Sequence, residues 1–520
     1  MAVSSKTVVS GKTSQEKTIA VLKRKIARQA KRIEQLKSAT EQEREEKERV
    51  QRLAKKLQEE NRLLTAQLAA SNEQAATPNN LTLERFCSER GIASHIFGAR
   101  MIALCVNLAK HLSFGAVPRV LRLVFEALGL EIKVPSHDSV KYWCKRVGLS
   151  HLKRARKRYK DWLWIVDHSN QIGQEKVLVI LGIPASQLPH HGQTLSLDQL
   201  RVLAIVPGKS WGRDDVRKVY RKTAKAFGTP RYVVCDGAVE LRDSVDVLKK
   251  NGKKVVVLRD FKHYAANRLE SLVGRSKNFK SFCKEMGLTR SRVQQTALAH
   301  LTPPTLKTKA RFMNIAPILR WATLILFTFD NVDRELTSEA DRQLLIERFG
   351  WIREYRGDIE AWSHCCELID HSLRWINTHC LTCGSGRRFQ RYLNRQGDWD
   401  DYEVVGQLAS SLVQFVKDAA GRLRHGERAW MSSECLESLF GLFKRREGQH
   451  SRSGFTGLLV SLPTLMRYWS PEQVRTALLS VKHQDVVRWE KEMIGSTVTG
   501  RRAKAYRSMA KAEKTVAQAL

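Results

Sequence analysis

The sequence has no apolar run that approaches the ~20 residues needed to cross a bilayer. Its first residues, MAVSSKTVVSGKTSQEK, lack the apolar core of a secretory signal. Ten cysteines occur in 520 residues without a regular framework, which is typical of a reducing compartment and not of a disulfide scaffold. We therefore expect a cytosolic protein, and membrane-spanning and disulfide-rich secreted classes are disfavoured.

Acidic residues are few relative to basic ones. There are 53 Asp and Glu against 90 Lys and Arg, which gives a net charge of +37, and 42% of the residues are hydrophobic. That hydrophobic content favours a folded protein, and charge of this size on a folded chain implies a polyanionic partner, usually nucleic acid. The alternative is a basic protein that is merely soluble or resembles ribosomal proteins.

The N-terminal part reads as a long polar helix. Residues 1–16 are expected to be disordered, and residues 17–75 show a heptad stripe made of Ile19, Leu22, Ile26, Ile33 and Leu36, resumed in a new phase by Val50, Leu53, Leu57 and Leu64. A coiled coil over 17–75 would serve self-association, so we expect a homo-oligomer. The alternative is a solvated helix that folds back on its own domain. AATPNN, at 75–80, is the linker that ends it.

Residues 81–150 show helical periodicity and a basic segment. In KVPSHDSVKYWCKRVGL, Ser136 or His137 could cap a helix that turns Val140, Trp143 and Val147 inward. Lys141, Lys145 and Arg146 would then be exposed and could contact DNA. The pattern is typical of a helix-turn-helix DNA-binding domain, although any helical bundle can imitate it.

Residues 160–263 change to the pattern of a sheet. WLWIVDH (162–168), KVLVILGIP (176–184) and DQLRVLAIVPG (198–208) are three apolar strands, and RYVVCDG (231–237) and KVVVLRD (254–260) follow with helices between them. The first three suit an antiparallel meander, and the helices suit crossovers to parallel strands. The sequence therefore predicts a mixed five-stranded sheet within an α/β fold. Residues 264–429 are mostly helical, and 471–520 form a basic helical C-terminus.

Two strands end in an acid. Asp167 follows WLWIV and Asp236 follows YVVC, and neighbouring strand ends could bring these carboxylates together. Two carboxylates that close repel each other unless a cation lies between them, and Mg²⁺ prefers such oxygens. The alternative for Asp236 is a cap of the next helix.

A third acid is expected on the late helix of MSSECLESLFGLFKRREG. Glu437 lies two turns before Lys444 and shares its face, which suits a carboxylate on metal and a lysine on a phosphate. Glu434, one turn earlier, is the alternative third acid. An ordinary solvated Glu-to-Lys face is the other interpretation.

These residues resemble the DDE transposases of bacterial insertion sequences, which have a ribonuclease-H-like fold. The resemblance lies in the strand order, in Asp167 and Asp236, and in ECLESLFGLFKRR with the spacing of Glu437 and Lys444. It covers roughly 160–262 and 430–446; residues 264–429 would be the all-α insertion, and 430–470 the C-terminal helices of the core. The N-terminal half would bind the transposon ends.

The resemblance implies a chemistry and partners. Asp167, Asp236 and Glu437 would bind two Mg²⁺ ions, with Mn²⁺ as a substitute, for cleavage at transposon ends and attack by a 3′-hydroxyl on target DNA. Lys444, Arg445 and Arg446 would hold the DNA backbone. The partner would be double-stranded DNA, the assembly a dimer or larger, and the location the bacterial cytoplasm at the nucleoid.

Two further groups are candidates. Asp260 and His263, in RDFKHYAANRLE, could lie near the metals, or Asp260 could cap a helix while His263 packs. Cys380 and Cys383 have the C-x2-C spacing of a zinc half-site, but buried structural cysteines are the alternative.

Two other functions stay open. A non-catalytic DNA-binding regulator derived from a transposase would use only the helix-turn-helix and the coiled coil. Another ribonuclease-H-like nuclease, such as a resolvase, would cut DNA without joining ends.

Overall fold

The structure is a computed structural model. It describes residues 59, 89, 91–92, 95–154, 157–170, 176–249, 254–305, 315–332, 338–448, 457–495, 502, 504–510 and 512. The predictions for residues 1–16 and for the coiled coil over 17–75 lie outside the described residues apart from Glu59, and they stay predictions. Within the described ranges, no helix is both long enough and apolar enough to span a bilayer.

Three helices precede the sheet. They are α1 (Ala99–Leu108), α2 (Ala116–Ala127) and α3 (His137–Lys153). Ser136 caps α3, since its hydroxyl accepts a hydrogen bond from the Ser139 amide, as expected from the sequence. Val140, Trp143 and Val147 are buried, which confirms the predicted inward face.

The predicted mixed sheet of five strands is confirmed. The strands are β1 (Trp162–Asn170), β2 (Lys176–Pro184), β3 (Arg201–Gly208), β4 (Tyr232–Cys235) and β5 (Val256–Arg259). Their spatial order is β3-β2-β1-β4-β5. The first three are antiparallel neighbours, whereas β1, β4 and β5 run parallel. α4 (Arg213–Phe227) and the short α5 (Val239–Asp243) make the two crossovers.

The two faces of β1 have different roles. Trp162, Trp164 and Val166 share a fully buried cluster with Tyr220 of α4. Because side chains alternate along a strand, Leu163, Ile165 and Asp167 belong to the opposite face. Asp167 is therefore the polar end of a row of buried side chains on the face away from α4.

The insertion between the sheet and the late helix is helical, as predicted. It contains α6 (Phe261–Leu269), α7 (Lys277–Val293), α8 (Ala316–Asp330), α9 (Glu339–Phe349), α10 (Arg356–Ile376), α11 (Ser385–Gln396) and α12 (Glu403–Ala420). Leu381 and Ala429 form an isolated antiparallel bridge at its return to the core. The insertion thus ends beside the segment that leads into the late helix.

The late helix and the chain end pack on the first helices. α13 (Glu434–Gly448) contacts β1, and the 3₁₀ segment Gly457–Leu465 packs on α3. α14 (Pro471–Ser480) and α15 (His483–Met493) also contact α3. These elements belong to one compact unit, in which α14 packs on α1 and α3 and α15 packs on α3.

This packing corrects the helix-turn-helix prediction. Residues 128–136 separate α2 from α3, whereas a helix-turn-helix uses a turn of about 3–4 residues. The helix that would read DNA is covered by α14 and α15 and by the 3₁₀ segment. α3 is therefore a structural helix and not an exposed recognition helix.

The DNA contacts predicted for Lys145 and Arg146 are wrong, because both side chains are buried. The Lys145 ammonium pairs with Glu490 Oε1 at 2.8 Å. The Arg146 guanidinium donates to the Leu478 and Val481 carbonyl oxygens at 2.5 and 2.7 Å, which satisfies the free carbonyl groups where α14 ends. Lys141 remains half-exposed beside Asp138.

The DNA contact predicted for Arg446 is wrong for the same reason. This buried guanidinium donates to the Ser461 carbonyl, the Ser461 and Thr464 hydroxyls and the Ala109 carbonyl at 2.9–3.2 Å. It joins α13 to α1 and to the 3₁₀ segment. Lys444 and Arg445 are exposed and stay available for a partner.

Arg446→Ala should destabilise the protein, whereas Arg445→Ala should not. Removal of Arg446 leaves buried carbonyl and hydroxyl groups without a donor, which costs about 2–4 kcal/mol of unfolding free energy. The measurement is the urea midpoint of both variants by tryptophan fluorescence. An Arg446→Ala midpoint equal to that of the exposed Arg445→Ala control would contradict the structural role.

Candidate active site

Asp167 and Asp236 are neighbours across two parallel strands. β1 and β4 pair in the register Leu163 with Tyr232 and Ile165 with Val234. The same register, extended by two residues, sets Asp167 opposite Asp236. Alternation also assigns both acids to the face of the sheet opposite Cys235, which packs with α4.

The negative charge of the pair is only partly offset by its neighbours. Burial, and then repulsion from Asp236, raise the pKa of Asp167 to about 7. The carboxylate of Asp167 accepts a hydrogen bond from the His168 amide at 2.7 Å, which opposes the shift only in part. The raised pKa of Asp167 beside a second carboxylate favours a bound cation.

The turn after Asp236 fixes its side chain. Asp236 Oδ1 accepts a hydrogen bond from the Ala238 amide at 2.8 Å, but the N-cap of α5 is Ala238, so Asp236 is not the cap of that helix. Gly237 has φ of 96°, and a Cβ there would lie 2.5 Å from Arg259 Nε. Glycine is therefore required for the close approach between this turn and the end of β5.

Asp260 is fully buried and joins β4, α6 and the start of α13 through hydrogen bonds. Its amide donates to the Cys235 carbonyl at 2.8 Å, at the end of β4. One carboxylate oxygen accepts from the His263 amide at 2.8 Å and its ring Nδ1 at 2.9 Å, and the other accepts from the Ser433 amide at 2.6 Å and its hydroxyl at 3.0 Å. Burial alone would raise the pKa of Asp260, but these bonds hold it below its ordinary value. Asp260 thus caps α6, as one sequence interpretation held, and also anchors α13.

Glu437 projects from the first turn of α13 toward two cations of α6. Its Oε2 accepts a hydrogen bond from Lys262 Nζ at 2.9 Å, and its Oε1 lies 3.9 Å from His263 Nδ1. The hydrogen bond to Asp260 raises the pKa of His263 to about 9, and the charges of Glu437 and Asp236 add to that shift. His263 is therefore an imidazolium at neutral pH, and its charge interacts with Asp260, Glu437 and Asp236.

The two candidates for the third acid have different partners. Glu434 Oε2 accepts from Asn377 Nδ2 at 2.5 Å, at the end of α10, and its Oε1 is 3.4 Å from Lys262. Glu437 instead keeps one buried oxygen, Oε1, with no hydrogen-bond partner among the described residues. The geometry favours Glu437, because a buried oxygen without a donor suits a cation.

His168 belongs to the other face of the sheet. Its Nε2 lies 2.9 Å from Glu240 Oε1 of α5. Burial tends to raise the pKa of Glu240, but this hydrogen bond holds it below its ordinary value. His168 thus fixes the end of β1 against the crossover.

The carboxylates fit Mg²⁺ in part. All three candidate ligands supply hard oxygens, the Asp167 and Asp236 pair is repulsive, and the free oxygen of Glu437 is buried. Within the described ranges, however, no three His, Cys, Asp or Glu side chains converge on one metal position. The pair alone suits an ion held by one or two carboxylates and water, and Glu437 is linked to it through His263.

The structure gives no support to zinc at the paired cysteines. Cys380 Sγ lies 3.3 Å from Arg428 Nη2 and 3.4 Å from the Pro189 carbonyl, and Cys383 is exposed. No third ligand joins them among the described residues. Zinc at Cys380 and Cys383 stays a prediction.

Sequence reasoning missed Lys262, Ser433 and Glu240. Lys262 stands between Asp260 and His263, and Ser433 directly precedes Glu434, so both lie inside segments that the motifs had marked. Their roles depend on contacts across the fold, for which the local sequence holds no signal.

Comparisons with known proteins give a weak structural likeness. No protein-family model matches the chain, and no curated protein matches it. Among solved structures, a Drosophila P element transposase strand transfer complex resembles it with a TM-score of 0.35 and 11% sequence identity, over 82% of this chain and 99% of that chain. Likeness at this level identifies neither a family nor an activity.

Asp260→Asn should lower the stability markedly. The amide nitrogen of asparagine cannot accept a hydrogen bond, so one set of donors from His263 or Ser433 loses its acceptor in a buried place, which costs about 2–4 kcal/mol. The urea midpoint, with the exposed Asp214→Asn as control, measures the effect. If both variants unfold at the wild-type midpoint, Asp260 does not anchor α13.

Proposed function

We propose that the protein is a DNA transposase of the insertion-sequence type with a ribonuclease-H-like catalytic core. The observation that carries the proposal is the pairing of Asp167 with Asp236 on neighbouring parallel strands of a sheet with the order β3-β2-β1-β4-β5. Glu437 is linked to this pair through His263, on which the charges of both Glu437 and Asp236 act. The sequence resemblance to these enzymes depends on the order along the chain, which is three strands, a helix, a strand, a helix and a strand. The net charge of +37 supports a nucleic acid substrate.

The acids would hold the metal, and the cations of α6 position them. Asp167, Asp236 and Glu437 would be the ligands of Mg²⁺ or Mn²⁺. When bound, such ions activate a water or a 3′-hydroxyl and stabilise the leaving oxygen of a phosphodiester. Lys262 and His263 contact Glu437 and offset part of the negative charge of the site.

The exposed residues on α13 extend the site toward DNA. Lys444 and Arg445 lie on the same helix as Glu437 and face solvent, so they can contact the backbone beside a scissile phosphate. Lys141 is a further half-exposed cation on α3. Synapsis of two ends requires a dimer or larger assembly, for which the predicted coiled coil over 17–75 is the candidate.

Asp167→Asn, Asp236→Asn and Glu437→Gln should each abolish strand cleavage. Loss of a ligand removes several kcal/mol of transition-state stabilisation, which corresponds to at least about a hundredfold in rate. The assay uses a duplex that carries the DNA flanking the gene, with Mg²⁺ or Mn²⁺, and reads both cleavage and end joining on a gel. Glu434→Gln is the matched control and should retain activity.

Three results would contradict this proposal in different ways. Wild-type cleavage by the Asp167 and Asp236 variants would remove the acids from the chemistry. Sequence-specific, metal-independent binding without cleavage would favour a regulator. Cleavage of branched DNA without joining would favour a resolvase.

Mg²⁺ should stabilise the wild-type protein and not Asp167→Asn. An ion that binds only the folded state at 100 times its Kd adds about 2.7 kcal/mol. In chelator, Asp167→Asn should melt no lower than wild type, because the substitution removes the repulsion from Asp236. The measurement is the melting temperature with MgCl₂ against NaCl of equal ionic strength. An equal shift in both proteins would show that Mg²⁺ acts elsewhere.

A further inference from the structure

Helix α11 carries a row of arginines that has no part in the candidate active site. Arg387, Arg391 and Arg395 follow each other at intervals of four residues and therefore share one face of the helix, called here the arginine stripe. All three are exposed. Within the described part of the chain, none of the three pairs with an acid or donates to a protein acceptor, and the stripe is an unneutralised line of charge.

The opposite face of α11 is firmly packed. Phe389 is buried, with its ring centroid 5.9 Å from that of Phe261 and 5.1 Å from that of Trp375. A Cβ on Gly386 would lie 2.9 Å from the Lys417 Cα, so glycine permits the close contact between α11 and α12. That contact brings the exposed Lys417 close to the start of the stripe. The basic face is thus rigidly attached to the helix that bears Lys262 and His263.

Helix α4 shows what an ordinary charged face of this protein is like. Its Arg213 pairs with Asp243 at 2.9 Å, its Arg217 with Asp246 at 2.5 Å, and its Lys218 with Asp215 at 3.2 Å. These three cations each have an acid within reach, so the first part of α4 is close to neutral. The arginine stripe differs because its charge is not paired within the described part of the chain and is free to bind a partner.

We infer that the arginine stripe binds the phosphate backbone of double-stranded DNA, an inference that rests on the proposed function for the identity of the polyanion. Successive arginines rise about 6 Å along the helix, and over the resulting ~12 Å one DNA strand presents about three to four phosphates. Arginine matches phosphate with a bidentate fork. Acids at 398, 400 and 401 follow the helix, so the contact ends there.

The test compares two variants that each lose three charges. One carries Arg387→Gln, Arg391→Gln and Arg395→Gln, and the other carries Arg213→Gln, Arg217→Gln and Lys218→Gln. Binding to a fluorescent 30-base-pair duplex is followed by anisotropy from low to high salt in the presence of EDTA. The slope of log K against log salt is negative, and in the stripe variant it should be shallower by about 2 to 3, since each phosphate contact contributes about 0.9. The α4 variant should keep the wild-type slope.

Further controls separate this inference from net charge and from the catalytic proposal. Lysine at all three stripe positions should restore the slope, because a point charge still displaces counterions. The inference would be overturned if the stripe variant kept the wild-type slope or if both variants lost the same amount of slope. It would also be overturned if the stripe variant lost affinity for single-stranded RNA but not for the duplex. Because EDTA removes the metal, failure of Mg²⁺-dependent cleavage leaves this result intact, and Asp167→Asn should bind DNA with the wild-type slope.

Discussion

The carboxylate of Asp260 is the constraint on which the candidate site depends. A charge with no exposed surface is tolerated only when hydrogen bonds satisfy it, and Asp260 has four donors, all from His263 and Ser433. Its own amide binds the last carbonyl of β4. One residue therefore fixes the strand that ends before Asp236, the helix that carries His263, and the helix that carries Glu437.

The cations of α6 offset part of the negative charge of the candidate acids. Lys262 and His263 lie in the first turn of the helix that Asp260 caps, and both face Glu437. Lys262 and His263 contact the carboxylate of Glu437. Asp167 and Asp236, in contrast, repel each other. This division of charge accounts for the lack of a single three-ligand cluster among the described side chains. A divalent ion, if bound as proposed, would compete with Lys262 and His263 for Glu437.

The sequence could predict what depends on local pattern. Apolar runs bounded by turn residues predicted all five strands, and the acids that follow two of these runs marked Asp167 and Asp236 as candidates. In the structure β1 continues to Asn170, so Asp167 lies inside the strand and not at its end. Arg146 and Arg446 were misjudged because a basic residue on a helix normally faces water. Their acceptors come from positions as far as 335 and 337 residues away, which no local pattern reveals. The bond from Ser433 to Asp260 spans 173 residues and was beyond prediction for the same reason.

The packing of α11 connects the arginine stripe with the acids. Phe261 directly follows Asp260 and precedes Lys262, and its ring contacts Phe389 on the buried side of α11. Close-packed aromatic contacts allow little relative movement, so the spacing between the stripe and the site is set by the core and not by a loop. A duplex bound along the stripe would meet the candidate site in a defined position. Charge that only attracted DNA would not need this rigidity, since long-range steering acts wherever the basic residues lie.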